Sequence, residues 1–228
     1  METKNISVVI LCGGFGTRLQ SVLKDKPKPL VDINGNSFLD ILIGYISSFG
    51  FEKFILCIGY LGDIIKQYYR GRTDLEFVFS EEDQPLGTGG AVKKALSLVE
   101  GSPIVVTNGD SICYVDFGTF LDFHEYKKAL LSMVLVKGEP KDQGLVTLNG
   151  QGKVTQFQEK STKEGYINAG IYLLKKGIVE YMPDVSKFSL EYDVFPRVVG
   201  QGFYGYTTEG PIFDIGTPER LESYKERF

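Results

Sequence analysis

Leu11-Cys12-Gly13-Gly14-Phe15-Gly16-Thr17-Arg18-Leu19, followed by Lys26-Pro27-Lys28-Pro29-Leu30, decides how this chain is read. It comes directly after the apolar run Ile6-Ser7-Val8-Val9-Ile10, which reads as a buried strand. A buried strand emptying into a glycine-rich loop leaves bare backbone N–H groups where a phosphate can approach. Arg18 adds a planar fork of donors suited to phosphate oxygens, and Lys28 adds a compact positive charge. Such an assembly suits the start of a phosphoryl- or nucleotidyl-transfer site.

Two familiar phosphate loops fail against it. The Walker spacing G-x-x-x-x-G-K-[ST] does not occur. The dinucleotide pattern G-x-G-x-x-G begins at Gly14-Phe15-Gly16, but its third glycine position is Leu19, and that glycine is what lets helix and strand pack closely. The competing structural reading is a glycine-rich strand-to-helix turn with no ligand. Arg18 and the Pro-Lys-Pro element, at their spacing, weigh against it.

The bulk numbers exclude several classes. The chain has 228 residues, 43% hydrophobic and 24% charged, with a formal net charge of -4. Its mild acidity argues against a nucleic-acid partner, which calls for a basic field. No apolar run approaches a bilayer span, and Met1-Glu2-Thr3-Lys4-Asn5 lacks a signal-peptide pattern, so no membrane association and a cytoplasmic location are expected. Cys12, Cys57 and Cys113 read as reduced residues near strand ends. With no C-x-x-C and one histidine, a zinc site is not expected. That histidine, His124, reads as a helix-surface residue rather than a general base.

Strand-like and helix-like stretches alternate through the first half. Strands are expected near 8–12, 54–59, 76–80 and 104–108, with helices at 37–49, 61–70 and 88–99. This order predicts an α/β protein with a mainly parallel mixed sheet and helices on both faces. Further strands are expected at 131–137, 144–148, 154–159 and 167–174, with a hairpin signal at Asn149-Gly150-Gln151-Gly152. Helices should return at 191–199 and at the C-terminus, where Thr217 reads as an N-cap ahead of Pro218. With no linker or repeat, residues 1–228 read as one domain.

Ligands of open α/β sheets bind beyond the carboxyl ends of the strands. The glycine loop lies at one such end, and Asn108-Gly109-Asp110 lies at another, after Ile104-Val105-Val106. The two motifs should meet in one crevice. Asp110 ends an apolar strand, where a carboxylate without a cation is costly, and Asp214 in Phe213-Asp214-Ile215-Gly216-Thr217 has a similar setting. Together they suit one Mg²⁺, a hard ion that keeps several waters; the alternative is that each merely caps a turn or helix.

These motifs resemble the sugar nucleotidyltransferase family, whose pattern is G-G-x-G-T-R-L…P-K-P-L. Pro85-Leu86-Gly87-Thr88-Gly89-Gly90-Ala91, Asn108-Gly109-Asp110, Glu159-Lys160, Asn168-Ala169-Gly170 and the Asp214 segment follow in family order, over essentially the whole chain. The resemblance implies a Rossmann-like three-layer α/β/α fold, with a nucleotide half at about 1–115 and a sugar-phosphate half at about 116–228. It implies catalytic roles for Arg18, Lys28 and Asp110 and a metal held by Asp110 and Asp214. Leu11, Gly13, Gly14, Gly16, Thr17, Arg18, Glu82, Pro85, Gly87, Thr88, Asn108 and Gly109 would hold the nucleotide. Lys160 would take the sugar phosphate, with Glu159, Asn168 and Gly170 on sugar hydroxyls. Glu191 and Asp193 read as further pocket candidates, the alternative being acidic residues in the first turn of a helix. The implied reaction is attack by a sugar 1-phosphate on the α-phosphorus of a nucleoside triphosphate, releasing pyrophosphate.

Lys26-Pro27-Lys28-Pro29-Leu30, Gly59-Tyr60-Leu61 and Phe188-Ser189-Leu190-Glu191-Tyr192-Asp193-Val194-Phe195-Pro196 resemble the branch using GTP and D-glycero-α-D-manno-heptose 1-phosphate, which feeds surface glycans. A carboxylate from Glu81, Glu82 or Asp83 could accept from guanine N1–H and N2–H₂; the alternative is a solvated acidic turn. A uridylyl- or guanylyltransferase acting on N-acetylmuramate, mannose or glucose 1-phosphate stays open, as does a non-catalytic sugar-nucleotide-binding homologue. A nucleotide-sugar glycosyltransferase is disfavoured because Ser111-Ile112 follows Asp110 where D-x-D is required. Oligomeric state is not legible.

Overall fold

The computed structural model describes residues 2–23, 25–138, 144–158 and 165–227. Strand β1 (Ser7–Leu11) empties into the glycine loop, a 3₁₀ turn at Thr17–Leu19 and the short helix α1 (Gln20–Leu23). A small hairpin, β2 (Asp32–Ile33) and β3 (Asn36–Ser37), leads into α2 (Phe38–Ser47), where the Ser37 hydroxyl accepts from the Asp40 N–H at 3.0 Å. β4 (Lys53–Ile58), α3 (Gly62–Tyr69), β5 (Glu76–Glu81), α4 (Gly87–Ala95) and β6 (Ile104–Asn108) complete the alternating half.

The second half is richer in strand. It comprises β7 (Ser111–Cys113), α5 (Phe117–Tyr126), β8 (Leu131–Gly138), β9 (Leu145–Leu148), β10 (Val154–Gln158) and β11 (Gly165–Leu174). A π turn at Leu190–Val194 then runs into α6 (Phe195–Val198), and β12 (Phe203–Thr208), β13 (Ile212–Asp214) and α7 (Pro218–Lys225) follow. Thr217 does cap α7, its hydroxyl accepting from the Arg220 N–H.

Nine strands form one mixed sheet in the order β10-β9-β11-β6-β1-β4-β5, with β8 lying between β11 and β12. β6, β1, β4 and β5 run parallel, whereas β11 meets β6 and β8 antiparallel. Strand pleating splits the apolar runs between two cores. Val8 and Ile10 face α2, α3, α5 and α7, while Val9 faces α4 and α6 on the other side. The result is the expected three-layer α/β/α arrangement. Each fully buried aliphatic or aromatic side chain here stabilises by about 1.5–3 kcal/mol relative to exposure.

Three expectations need correction. The helix expected at 191–199 is a π turn followed by one turn of α-helix, because Pro196 has no N–H to continue a single helix across the junction. The helix expected at 88–99 ends as α4 and finishes in a 3₁₀ turn, Leu96–Leu98. His124 is on α5 as expected but is fully buried, not on the surface. It shares the inward stripe of Phe117, Phe120 and Leu121, and its Nδ1 lies 2.8 Å from the Ser132 hydroxyl. Among the described residues no helix is long and apolar enough to cross a membrane.

Candidate active site

The carboxyl ends of β1 and β6 open onto two adjoining cavities, of about 320 and 370 Å³. Parallel pairing sets Leu11 beside Asn108, so the glycine loop and the Asn-Gly-Asp turn leave the sheet side by side. The smaller cavity is walled by Leu11, Gly13, Gly14, Glu82, Pro85 and Thr88. The larger takes Thr17 and Arg18 from one side and Asn168, Gly170 and Asp214 from the other. Lys28, Asn108, Asp110 and Glu191 border both.

At this junction the Lys28 ammonium meets the Asp110 carboxylate at 2.6 Å. Lys28 is held by the 3₁₀ turn Lys28–Leu30, which the Pro27 and Pro29 rings pre-shape through their fixed φ. Asp110 is anchored through its backbone: its carbonyl accepts from the Ile215 N–H at 3.0 Å. β7 and β13 pair antiparallel with Ser111 opposite Asp214, so this small two-stranded sheet brings Asp110 and Asp214 to one wall. Asp214 Oδ1 accepts from the Gly216 N–H at 3.0 Å and from the Arg220 guanidinium at 2.9 Å.

The smaller cavity owes its shape to glycine. Gly87 has φ +72°, a left-handed backbone, and a Cβ there would stand 2.5 Å from the Phe188 carbonyl oxygen. That carbonyl instead accepts from the Gly89 and Gly90 N–H groups, closing the start of α4. Thr88 and Ser189 both donate to Glu191 Oε2 at 2.6 Å, tying α4 to the π turn. Glu82 accepts from the Leu86 N–H at 3.0 Å through Oε2, while its Oε1 lies against Gly13. Burial pushes the Glu82 carboxyl above its ordinary pKa, against the opposing pull of the Leu86 N–H and Lys94.

On the opposite wall, β11 shifts register between Asn168 and Tyr172, a bulge that turns Gly170 into the cavity. Gly170 has φ +74°, and a Cβ there would meet Asn108 Nδ2 at 2.7 Å. The buried Asn168 amide braces the bulge, accepting from the Gly170 N–H at 2.9 Å and donating to the Tyr172 hydroxyl at 2.8 Å.

Most residues singled out in the sequence therefore line these two cavities, including Gly16 and Gly87. Gly109 and Asp193 line neither. The Gly109 N–H is spent on the Leu11 carbonyl at 3.0 Å, and the Asp193 carboxylate caps the π turn by accepting from the Ser189 N–H at 2.7 Å. Glu159 and Lys160 lie outside the described residues.

The family model for nucleotidyl transferase matches residues 7–227. The chain belongs to the nucleotidyl transferase family. As an enzyme of this family it is similar along nearly its whole length to two curated relatives, each named D-glycero-alpha-D-manno-heptose 1-phosphate guanylyltransferase. One, from Aneurinibacillus thermoaerophilus, is 33% identical over 94% of both chains. The other, from Campylobacter jejuni, is 38% identical over 94% of this chain and 96% of its own. The crystal structure of HddC from Yersinia pseudotuberculosis superposes with a TM-score of 0.86 at 36% identity, covering 98% of this chain and 99% of that one. The same protein complexed with GMP-PN superposes at 0.85.

Phe15, Ser111 and Arg220 of this nucleotidyl transferase, to which no motif assigns a site role, also line a cavity. Arg220 had a readable signal. With Thr217 as N-cap, it is the third residue of α7, and helical side chains lean back toward the N-terminus, here toward Asp214. Among the described residues no group of three or more His, Cys, Asp or Glu gathers as a metal cluster. Two carboxylates on one wall still fit Mg²⁺, which needs only one or two protein carboxylates beside water and phosphate oxygens.

Proposed function

We propose that this nucleotidyl transferase is a cytoplasmic, single-domain guanylyltransferase that joins GTP to D-glycero-α-D-manno-heptose 1-phosphate. The products would be GDP-heptose, for surface glycan synthesis, and pyrophosphate. The observation that carries this reading is the meeting of two cavities at the Lys28–Asp110 pair, which gives a place for each substrate with a cation and a carboxylate between them. The names and near-complete coverage of the heptose guanylyltransferase relatives support the substrate choice.

On this reading the guanine lies in the smaller cavity, with its N1–H and N2–H₂ edge on Glu82 and its ring between Leu11 and Pro85. Arg18 and Lys28 take the triphosphate, and the sugar sits by Asn168, Gly170 and Glu191. A sugar-phosphate oxygen attacks the α-phosphorus as the bond to the bridging oxygen of the β-phosphate breaks, and pyrophosphate carries that electron pair away. The protein's task is alignment and charge neutralisation, with no covalent intermediate. Lys28 and Arg18 neutralise charge growing on the leaving group. A Mg²⁺ held by Asp110 and Asp214 would supply further neutralisation of phosphate oxygens.

The test is pyrophosphate release with Mg²⁺, crossing GTP, UTP, dTTP, CTP and ATP with manno-heptose, mannose, glucose and N-acetylmuramate 1-phosphates. Release confined to GTP with the heptose phosphate is expected. Another productive pair would replace the substrate assignment, and silence from folded protein would overturn the catalytic reading.

A further inference from the structure

The larger cavity gathers three cations, Arg18, Lys28 and Arg220, and three carboxylates, Asp110, Asp214 and Glu191. Two of these cations meet carboxylates directly: Lys28 meets Asp110 at 2.6 Å, and Arg220 meets Asp214 at 2.9 Å. The second pair is well withdrawn from water, with side-chain exposures of 25% and 22%. A carboxylate so placed requires a cation, and Arg220 supplies it in the structure as it stands.

Geometry makes that partnership exchangeable. Arg220 bonds Asp214 Oδ1, the same oxygen that the Gly216 N–H already holds in place. The carboxylate therefore keeps its position if the guanidinium departs. Arg220 is rooted in the first turn of α7, where its own N–H is fixed by Thr217. A guanidinium presents a flat fork of donors that matches phosphate oxygens as well as carboxylate oxygens. It also lies on the Asp214 wall, whereas Arg18 lies on the glycine-loop wall of the same cavity.

We propose that Arg220 is an exchangeable ligand for the acceptor phosphate: it guards Asp214 until a divalent cation binds there, then turns to the sugar 1-phosphate. The exchange keeps the charge of the cavity balanced. The arriving phosphate finds a cation released by the metal ion that accompanies it, so the partly buried Asp214 carboxylate keeps a counter-charge throughout. This rests on the proposed transferase reading for the identity of the anion, but not for the competition at Asp214.

Two measurements on Arg220→Gln and Arg220→Lys test it. In pyrophosphate-release assays Arg220→Gln should raise KM for the sugar 1-phosphate by about ten- to hundredfold, the loss expected for a charge-assisted contact, with KM for the nucleotide within about twofold. Arg220→Lys should recover part of that loss. In equilibrium titrations with Mn²⁺ alone, Arg220→Gln should bind the ion more tightly than wild type, because its competitor is gone. If Arg220 only pins Asp214 in position, Arg220→Gln will bind Mn²⁺ more weakly and lose kcat with both KM values unmoved, and the proposal is overturned. Should wild-type protein release no pyrophosphate with any pair, the transferase reading fails, while the Mn²⁺ titration still decides the exchange.

Discussion

Lys28 and Asp110 come from segments 82 positions apart, and each is the other's neutralising partner across 2.6 Å. Replacing Asp110 by Asn keeps the shape but leaves the Lys28 ammonium without its counter-charge. Turnover of Asp110→Asn should fall by about 10²–10³-fold, the scale for removing one preorganised electrostatic group, with the melting temperature nearly unchanged. Kinetics beside a thermal melt check this, and near-normal turnover would remove Asp110 from the catalytic role. Glu82 makes a separate prediction about choice of base. Gln in its place offers one acceptor and a donor that opposes guanine N1–H, so Glu82→Gln should raise KM for GTP by about ten- to hundredfold while sparing KM for the sugar phosphate. Residues such as Lys28 and Asp110 were legible because their motifs name them. Glu191 was a pocket candidate from its segment, but its tie to Thr88, 103 positions away, was not legible.

At the scale of elements, the parallel strands were readable because burial on both faces turns them into continuous apolar runs. β7 and β13 were not, since three-residue strands are too short to show a period, yet they bring the two aspartates together. The β11 bulge was equally hidden, although its glycine stood in a recognised motif. Gly170→Ala should cost about 1–2 kcal/mol for the left-handed backbone alone, plus whatever displacement relieves the 2.7 Å approach to Asn108. In a chain of this size that lowers the melting temperature by roughly 2–8 °C, and kcat should fall as well because Asn108 borders both cavities. A variant with wild-type melting and turnover would show that the bulge tolerates a side chain.

Across the whole molecule, β6 of the first half pairs directly with β11 of the second, so one sheet carries both walls of the site. The same core holds a pH-dependent component of stability. Burial, helped by nearby Lys175, pulls the His124 imidazole down to a pKa of about 4 from an ordinary 6.5. The unfolded chain therefore takes up the proton first. The resulting stabilisation is complete above about pH 6.5 and is lost as pH falls toward 4, by up to about 3 kcal/mol. Denaturant unfolding at pH 7 and pH 4.5 should show a larger fall for wild type than for His124→Gln, whose amide can still bond Ser132 but does not titrate. Equal falls would place the acid sensitivity elsewhere. Nothing in the sequence around His124 announced this, because a helix face is assigned to core or solvent only by what packs on it.

Because Lys28, Asn108, Asp110 and Glu191 border both cavities, a nucleotide sugar formed on the proposed pathway would lie across the pair like a bolt through two plates. Neither half-site could refill before it withdrew. Finished product should then inhibit competitively against each starting compound, and its escape can set the pace of turnover. A molecule tethering guanosine to a sugar phosphate through an uncleavable bridge should bind far better than its separate parts, since docking one end presents the other at high local concentration.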